Sequence, residues 1–398
     1  MAWKENSVMD QRMRFVLACG SPDWTMTELC EMYGVSRTTG YKWLERHSAD
    51  GPPGLADRSR APHEHGRATA AHLSEAIVAL RLERPSWGPR KIIARLAARA
   101  PGADWPAAST AGEILKRAGL VGARRVRRRG PPRLGELTQP CHCNHVWSVD
   151  HKGWVRLLDG TRSEPLTMTD GFSRFLIGVG ATGSTKHDEA KPLFERAFEA
   201  FGLPQVIRSD NGSPFASTGA GGLTQLSAWW IRLGIAHERI DPGHPQQNGR
   251  HERFHLTLKE AMIPPRSDRA AQERSFAVFA RDYNEVRPHE ALGQKPPASV
   301  YRPSPRRMPA KLPEPAYPAS AAVRRVRSNG EIKWDGTLVY VSAALIGEAV
   351  AVEETQTGRW SVRFFDAPLG IIDKTKRKLR PLAAAVDASG ERPHRQKT

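Results

Sequence analysis

Acidic residues, cysteine and long apolar runs are all scarce in this sequence. Its 398 residues include 42 Asp and Glu against 60 Lys and Arg, so the formal net charge is +18. A charge this positive argues against an ordinary metabolic enzyme and predicts a polyanionic partner, with nucleic acid the leading candidate. Four cysteines are too few for a disulfide framework, which favours a reducing cytoplasm. We find neither an apolar run long enough to span a bilayer nor a secretory signal, and we therefore expect no contact with a membrane.

The length and the changes in composition along the chain predict several domains. Helical periodicity dominates the N-terminal part, α/β alternation the middle and short strands the C-terminal part, with Pro-, Gly- or Arg-rich stretches between them. The predicted order is a helix-turn-helix domain (1–50), a linker (51–67), a second helix-turn-helix-like domain (68–123), a basic linker (124–145), an α/β core (146–300), a linker (301–325), a small β-barrel (326–382) and a disordered tail (383–398).

Residues 8–47 have the pattern of a helix-turn-helix. Thr25 precedes a helix start of the capping-box type, and Ser36 caps a second helix after the turn Tyr33-Gly34-Val35. The alternative is a plain helical hairpin, but the turn, the cap and the basic face of the second helix together favour DNA binding. That face would present polar and basic side chains to a major groove, namely Arg37, Thr38, Thr39 and Lys42.

Three further helices are predicted between residues 73 and 119, the second starting near Pro89 and the third capped by the segment Ala107-Ala108-Ser109-Thr110. They form either a second helix-turn-helix, in which Arg90 and Lys91 would contact DNA, or a purely structural bundle. A basic run follows, and we expect it to contact phosphates or to enter a minor groove rather than to form a solvated tail. Its members are Arg124, Arg125, Arg127, Arg128 and Arg129.

The segment Cys141-His142-Cys143-Asn144-His145 is rich in residue types that bind metals. Structural zinc sites usually pair their ligands across about two to four intervening residues and need a second pair elsewhere. Cys-x-Cys is tighter than this, and the other two cysteines, Cys19 and Cys30, lie far away in a helical region. We therefore expect an ordinary polar linker here, while the question whether Cys141 or Cys143 binds a metal stays open.

The pattern of apolar residues changes near Trp147 to that of an α/β domain. Three antiparallel strands followed by alternating helix and strand is the order of a ribonuclease H-like mixed sheet. Beyond it, five short strands between residues 332 and 372 suggest an SH3-like barrel. In the α/β domain, strands are predicted at 146–158, 165–170, 175–179, 205–209 and 235–239, and helices at 186–201, 223–233, 247–262 and 271–286.

Three acidic residues in this basic chain are placed as metal-binding carboxylates would be. Asp150 and Asp210 each end an apolar run, and Glu252 lies early in a predicted amphipathic helix. Metal-assisted phosphodiester chemistry needs hard oxygen ligands that converge from different elements. In a ribonuclease H-like sheet the two Asp residues come close together, and we expect Glu252, His255 and Lys259 to share one face of their helix.

Other acids near these motifs are weaker candidates. Glu238 lies on a predicted strand, and Glu260 lies one to two turns beyond the glutamate of the motif. Asp170 begins Asp170-Gly171-Phe172-Ser173-Arg174, where a role in a turn is expected.

The sequence motifs around the three carboxylates resemble those of bacterial insertion-sequence transposases with a retroviral-integrase-type DDE catalytic core. The resemblance covers essentially the whole chain. The resemblance implies that Asp150, Asp210 and Glu252 are the catalytic triad and bind Mg²⁺ or Mn²⁺, two ions per site. The motifs that support this resemblance are Trp147-Ser148-Val149-Asp150, Ser209-Asp210-Asn211-Gly212, His244-Pro245-Gln246-Gln247-Asn248-Gly249, Glu252-Arg253-Phe254-His255, Tyr283-Asn284 and Arg287-Pro288-His289.

The same resemblance implies further contacts and partners. Lys259 would hold the terminal DNA near the scissile phosphate, and Asn211, Asn248 and His255 would contact DNA or support the metal ligands. The substrates would be double-stranded DNA, both element ends and target, with no small-molecule substrate. A homo-oligomer on the DNA is implied, in the bacterial cytoplasm at the nucleoid.

Two features depart from the family pattern. Forty-one residues lie between Asp210 and Glu252, more than is usual, and we attribute the excess to a flexible loop insertion at 216–222. The N-terminal zinc module of the retroviral proteins is absent, so its zinc is not expected here.

The sequence therefore predicts a DNA transposase. It would bind terminal inverted repeats, cut the DNA ends by metal-dependent hydrolysis and join the 3′-hydroxyls to target DNA. One alternative is a catalytically silent repressor derived from such an element, which three intact carboxylates argue against. Another is a nuclease that cleaves without joining, for which the helix-turn-helix candidates and the barrel are more than is needed.

Overall fold

The computed structural model describes residues 7–58, 68–122, 137–241 and 244–381. The chain forms two compact units, one from Met1 to Ala70 and the other from Ala71 to Thr398. Within the described ranges, no helix combines the length and the apolar character needed to cross a membrane. Two predictions lie outside these ranges: the disordered tail at 383–398, and the DNA contacts of Arg124, Arg125, Arg127, Arg128 and Arg129.

The first unit is a small helical bundle. It consists of α1 (Val8–Ala18), α2 (Met26–Met32) and α3 (Arg37–Asp50), followed by a 3-10 turn. The predicted caps are confirmed, because Thr25 and Glu28 form a capping box at α2 and the Ser36 side chain accepts the Thr39 N–H at α3. Large apolar side chains make its core, chiefly Phe15, Leu29, Trp43 and Leu55.

Helix α3 lies close to the other helices of this bundle at Gly40. A Cβ atom at this position would be 2.8 Å from Sγ of Cys30 and 2.9 Å from Cζ of Phe15. Glycine is a poor helix former, but here any side chain would force the helices apart. The opposite face of α3 stays exposed and carries Arg37 and Lys42.

The second unit begins with three helices, α4 (Ala71–Glu83), α5 (Pro89–Arg99) and α6 (Ala108–Arg117). The third helix begins inside the predicted capping segment Ala107-Ala108-Ser109-Thr110. Its N-cap residue is Ala107, which makes no side-chain hydrogen bond, so the segment does not cap the helix with a side chain. The helices close around Ile77, Trp87, Ile92 and Leu115.

A five-stranded mixed sheet follows, in the predicted ribonuclease H-like order. This part of the chain contributes seven strands, of which five form the sheet and two form a separate pair: β1 (Val146–His151), β2 (Val155–Arg156), β3 (Arg162–Ser163), β4 (Leu166–Asp170), β5 (Leu176–Gly180), β6 (Val206–Ser209) and β7 (Ala236–Arg239). The sheet order is β5-β4-β1-β6-β7, with β1, β6 and β7 parallel and β4 antiparallel to both of its neighbours. Because β2 and β3 pair separately, the single strand predicted at 146–158 is wrong.

Helices cover both faces of this sheet. On one face, α7 (His187–Phe201) and α8 (Gln225–Arg232) bury a core that contains Trp147, Phe194 and Trp230. On the other face lie α9 (Gly249–Met262) and α10 (Arg269–Arg281), which continues into a short π-helical turn. The second core contains Leu176, Phe254, Leu258 and Phe276. Sheet and helices thus form three layers, with α9 next to the central strands.

The C-terminal part is a nearly closed all-β sheet of barrel type. Its order is β8-β11-β12-β13-β14-β10-β9. Strand β8 lies in the segment predicted as a linker, and β14 lies beyond the last predicted strand, where the Asp373 carboxylate accepts a hydrogen bond from Arg380. The strands are β8 (Ala322–Arg325), β9 (Glu331–Trp334), β10 (Thr337–Tyr340), β11 (Ala349–Glu354), β12 (Trp360–Phe364), β13 (Ala367–Asp373) and β14 (Lys378–Arg380).

The insertion at 216–222 packs against this barrel and is not a free loop as expected. Leu223 and Ala228 belong to the barrel's own hydrophobic core. The insertion turns back on itself, because the Ser217 N–H donates to the Gly222 carbonyl at 3.0 Å. At its tip Gly221 has a φ of +63°, and a Cβ there would be 3.1 Å from the Pro368 carbonyl oxygen. The extra residues therefore dock the barrel on α8.

Replacing Gly221 with valine should weaken this docking. A β-branched residue at positive φ adds backbone strain and a backbone contact on β13, so we expect a loss of about 2 kcal/mol in unfolding free energy. Urea unfolding followed by tryptophan fluorescence measures the change. The neighbouring Gly219 has a φ of −73°, so Gly219→Ala is the matched control, expected within about 0.5 kcal/mol of the parent chain. Equal stability of the two variants would contradict the docking role.

Candidate active site

Asp150 and Asp210 lie at the carboxyl ends of neighbouring parallel strands. Strand β1 pairs with β6 in a register that sets Ser148 opposite Arg208. Each aspartate comes two residues after its paired position, so the two are at the same level of the sheet. The Asp210 carboxylate accepts the Gly212 N–H at 3.0 Å, which fixes its side chain at the turn after β6.

The carboxyl group of Asp150 is affected by the charges of two other carboxylates, Asp210 and Glu252. Its pKa is raised to about 7, first by burial and second by the charge of Asp210, and Glu252 also raises it. Glu252 is exposed in the first turn of α9, the helix that packs on β1. The positive charge of Lys152 lowers the pKa of Asp150. This effect is smaller than the increase caused by burial or by the charge of Asp210. Carboxylate oxygens under mutual repulsion suit a hard divalent cation, which would relieve that repulsion.

A buried hydroxyl joins α9 to the strands behind Asp150. The Thr167 Oγ1 atom, on β4, lies 2.9 Å from the Asp150 carbonyl oxygen, 2.7 Å from Nε2 of His251 and 2.9 Å from Nε2 of His255. On the same face of β4, Thr169 Oγ1 lies 2.8 Å from Nδ1 of His251. All of these side chains except that of Asp150 are less than a tenth exposed.

These contacts determine where the imidazole protons are. A carbonyl oxygen only accepts, so the Thr167 hydroxyl donates to Asp150 and accepts from both rings. His251 and His255 therefore carry their protons on Nε2, and the Thr169 hydroxyl donates to Nδ1 of His251. Burial lowers the pKa of His251 well below its usual value and that of His255 to about 3, so both rings are neutral. The free Nδ1 of His255 faces the Asp150 carboxylate at 3.8 Å.

The predicted grouping of Glu252, His255 and Lys259 on one face is wrong for His255. That ring is 6% exposed and faces the sheet beside His251, whereas Glu252 and Lys259 are exposed. The cause is the polar inner face of β4, which accepts imidazole where an apolar strand would not. In this structure His255 supports Asp150 from behind and is not open to DNA.

The other predicted contacts around the site differ in exposure. Asn211 is exposed, and its Nδ2 donates to the Ile240 carbonyl at 2.6 Å, which ties the end of β6 to the segment after β7. Asn248 is 5% exposed at the start of α9 and is thus an internal residue here. Lys259 lies on the outer face of α9, two turns beyond Glu252.

The two basic residues predicted to contact DNA from α5 face the core domain. Arg90 forms a 2.5 Å ion pair with Glu290. Lys91 is partly buried, and burial and the charge of Arg287 lower its pKa to about 8. The start of α5 therefore contacts the α/β domain in this structure.

The three weaker acids all have structural partners. Glu238 forms a 2.7 Å ion pair with Arg208 and accepts the Thr138 N–H. Glu260 accepts a hydrogen bond from Ser86 at 3.0 Å. The Asp170 carboxylate accepts from Ser173 and from the Asn144 N–H, which is the expected role in a turn.

Sequence reasoning missed Thr167, Thr169 and His251. The signal was available in Leu166-Thr167-Met168-Thr169, where apolar and polar residues alternate although every position of β4 is buried. Two buried hydroxyls on one face of a strand require polar partners, and a histidine pair four residues apart on one helix could have been proposed as those partners.

Thr167→Val should remove the junction between α9 and β4. Two buried ring N–H donors would lose their acceptor, so we expect a loss of about 2–4 kcal/mol in unfolding free energy. Thr167→Ser keeps the hydroxyl and serves as the control. Nitrogen-15 NMR of labelled histidine tests the proton positions directly: both rings should be neutral Nε2–H tautomers at pH 6, and an Nδ1–H tautomer at either ring would contradict the network.

Asp150→Asn should stabilise the protein when divalent metal is removed. The pKa of about 7 in the folded chain lies above the usual 3.8 of an aspartate, so folding takes up a proton between these values and this group's contribution to stability falls as pH rises through that window. The shift corresponds to at most about 4 kcal/mol. With EDTA present, the variant should gain stability over the parent at pH 8 and lose this advantage near pH 4, as measured by urea unfolding. Asp366→Asn, a fully exposed carboxylate, should show no such pH-dependent gain.

Family models match most of the described chain. Integrase core domain models match residues 141–245 and 233–297. Homeodomain-like domain models match residues 6–56 and 39–115, in the helical N-terminal part. The model of the IS481 family transposase C-terminal domain matches residues 321–380, which is the barrel with its first strand included.

Several curated relatives are insertion-element proteins. One from IS476 of Xanthomonas euvesicatoria is 31% identical over 157 residues, covering 39% of this chain and 43% of the relative. One from IS407 of Burkholderia multivorans is 28% identical over 188 residues, 46% of this chain and 65% of the relative. The chain thus spans less than two thirds of either. A protein of IS136 from Agrobacterium tumefaciens is 31% identical over 143 residues, 33% of this chain and 70% of the relative.

Retroviral integrases are among the similar solved structures. The HTLV-2 integrase catalytic core in complex with magnesium has a TM-score of 0.31 at 16% identity, over 41% of this chain and 99% of that one. A simian T-cell lymphotropic virus intasome chain has a TM-score of 0.35 at 16% identity, over 75% of this chain and 99% of that one. The sequence matches to the insertion-element relatives, the integrase core and the transposase C-terminal domain show that this chain belongs to the insertion-sequence transposases with an integrase-type core.

Proposed function

We propose that the protein binds the terminal inverted repeats of its element, cleaves the DNA ends and joins their 3′-hydroxyls to target DNA. Asp150, Asp210 and Glu252 are the catalytic carboxylates in this proposal. The observation that carries it is the level position of the two aspartates on adjacent parallel strands, with the charge of Glu252 close enough to raise the pKa of Asp150. Such a group of hard oxygen ligands suits phosphodiester chemistry.

The three carboxylates would hold the divalent cofactor, Mg²⁺ or Mn²⁺ and two ions per site. Bound there, the ions would supply charge stabilisation and an activated attacking oxygen for in-line displacement at a phosphodiester. Asp150 must be ionised to act as a ligand, and its raised pKa makes protons compete with the cation near neutral pH. The neutral rings of His251 and His255, held by Thr167, keep α9 and therefore Glu252 in place without adding a positive charge that would repel the cation.

The remaining tasks fall to other parts of the chain. The exposed face of α3, with Arg37, Thr38 and Lys42, would read the element ends in a major groove. Thr39 would add a backbone contact at most, because its hydroxyl is bonded to Ser36. Lys259 would hold a phosphate of the terminal DNA beside the carboxylates. Both element ends react with one target, so a homo-oligomer assembled on DNA at the bacterial nucleoid is part of the proposal.

A strand-transfer assay tests the proposal. The purified chain is mixed with labelled element-end DNA, a plasmid target and Mg²⁺ or Mn²⁺, and cleaved and joined products are resolved on gels. Removing one metal ligand should reduce joining by at least about 100-fold, because the cation loses its charge partner while the fold is kept. We expect this of Asp210→Asn and of Glu252→Gln.

Glu260→Gln is the matched control, since it changes another glutamate on the same helix that contacts Ser86 and Arg287 instead. It should retain joining to within a few-fold. End binding, measured by mobility shift, should survive all three substitutions. Cleavage without joining would replace the transposase by a nuclease, and specific end binding with no chemistry under either metal would replace it by a repressor.

A further inference from the structure

The segment just before β1 brings three metal-binding side chains together. The ligand atoms of Cys141, His142 and His145 all lie within 4.8 Å of one another. Sγ of Cys141 is 3.1 Å from Nδ1 of His145, and the two imidazole rings stack with centroids 4.7 Å apart. Ligand atoms around a tetrahedral zinc ion are separated by about 3–4 Å, so the cluster would bind one ion after rotations that unstack the two rings and turn a nitrogen of each towards it.

The hydrogen bonds leave lone pairs available on both rings. Nδ1 of His142 is 2.9 Å from the Cys143 carbonyl oxygen. Because a carbonyl only accepts, this Nδ1 carries the proton and Nε2 keeps a lone pair. The Cys141 N–H points at Nδ1 of His145 at 3.4 Å, so that nitrogen is an acceptor on the side of the thiol. A ring N–H held by a backbone carbonyl is the arrangement that orients histidines towards zinc.

The backbone that carries the cluster is held on all sides by Asn144. Its N–H donates to Asp170 and its side-chain amide donates to the Arg302 carbonyl, each at 2.8 Å. Its side-chain oxygen accepts from Trp147 and from Tyr301. The residue has a φ of +61°, which turns the chain sharply between His142 and His145. The ligands thus project from a fixed turn rather than from a free linker.

The same turn explains why the second cysteine is not a ligand. Cys143 points inward, with Sγ donating to the Val300 carbonyl at 3.6 Å and the side chain packed against the main core. The Cys-x-Cys spacing that argued against zinc in the sequence therefore does not bear on the cluster of Cys141, His142 and His145.

We infer that Cys141, His142 and His145 form a zinc site, with water as the fourth ligand. One thiolate and two imidazoles are soft and borderline ligands that suit Zn²⁺ and not Mg²⁺. The Cys141 S–H bond breaks on binding, its proton goes to solvent and the sulfur electron pair binds the ion. The site stands apart from the carboxylates and does not depend on the proposed transposase activity. Its ion would fix the turn at which the chain enters the catalytic domain, five residues before Asp150.

Cobalt substitution tests the site in the full chain. Metal-free protein carrying Asp210→Asn, which weakens the carboxylate site, is titrated with Co²⁺ in the presence of excess Mg²⁺. We expect one equivalent to bind with a thiolate-to-cobalt charge-transfer band, which Zn²⁺ then displaces. Cys141→Ser should abolish the band, and His145→Asn should weaken Zn²⁺ binding at least 10-fold.

Cys143→Ser is the matched control, because it alters the inward cysteine of the same turn and should keep the band. Circular dichroism confirms that each variant is folded. The inference is overturned if no thiolate band appears, if the band survives Cys141→Ser, or if folded Cys143→Ser loses it. Binding of Zn²⁺ only at millimolar concentration would also overturn it. Zinc content of the protein as purified, about one per chain for the parent and none for Cys141→Ser, provides a second readout.

Discussion

The hydroxyl of Thr167 is the contact on which the geometry of the candidate active site depends. It is shared by the main chain of Asp150 and by two rings of α9, so one oxygen links the strand of the first carboxylate to the helix of the third. Each of these groups is buried, so a group that lost its hydrogen-bond partner would destabilise the folded chain, and the surrounding packing would not compensate for the loss. The helix can therefore take only one rotation about its axis, the one that leaves Glu252 outside and His255 inside.

The local charge at the candidate active site is negative, whereas the net charge of the chain is positive. The formal charge of +18 spreads over surfaces that suit a polyanion, yet Asp150 lies in a local field negative enough to raise its pKa to about 7. Neutral histidines line the rear of the site because burial removes their charge. A polyanion is thus attracted to the protein as a whole, while the carboxylates themselves repel a phosphate until cations are present.

Much of the fold could be predicted from the sequence, for reasons that differ by element. Ser36 and Thr25 mark helix starts because their side chains bond to the main chain a few residues away. The sequence motifs around Asp150 and Asp210 identify adjacent strands through the resemblance to a known family. Side-chain direction was harder, since His255 and Lys259 lie three and seven residues after Glu252, both at spacings of one helical face, but have different environments. Asn284 illustrates the limit: its motif was recognised, but its bonds to both the N–H and the carbonyl of Leu176 depend on a strand edge more than a hundred residues away.

The docked insertion at 216–222 changes what the spacing between Asp210 and Glu252 measures. The additional residues contact β13 of the barrel, while Asp210 still directly follows β6 and Glu252 lies in the first turn of α9. The length of this interval therefore reflects how the barrel is docked and does not measure the distance between the two carboxylates. A search pattern that fixed the interval strictly would reject this chain because of a contact with a neighbouring domain.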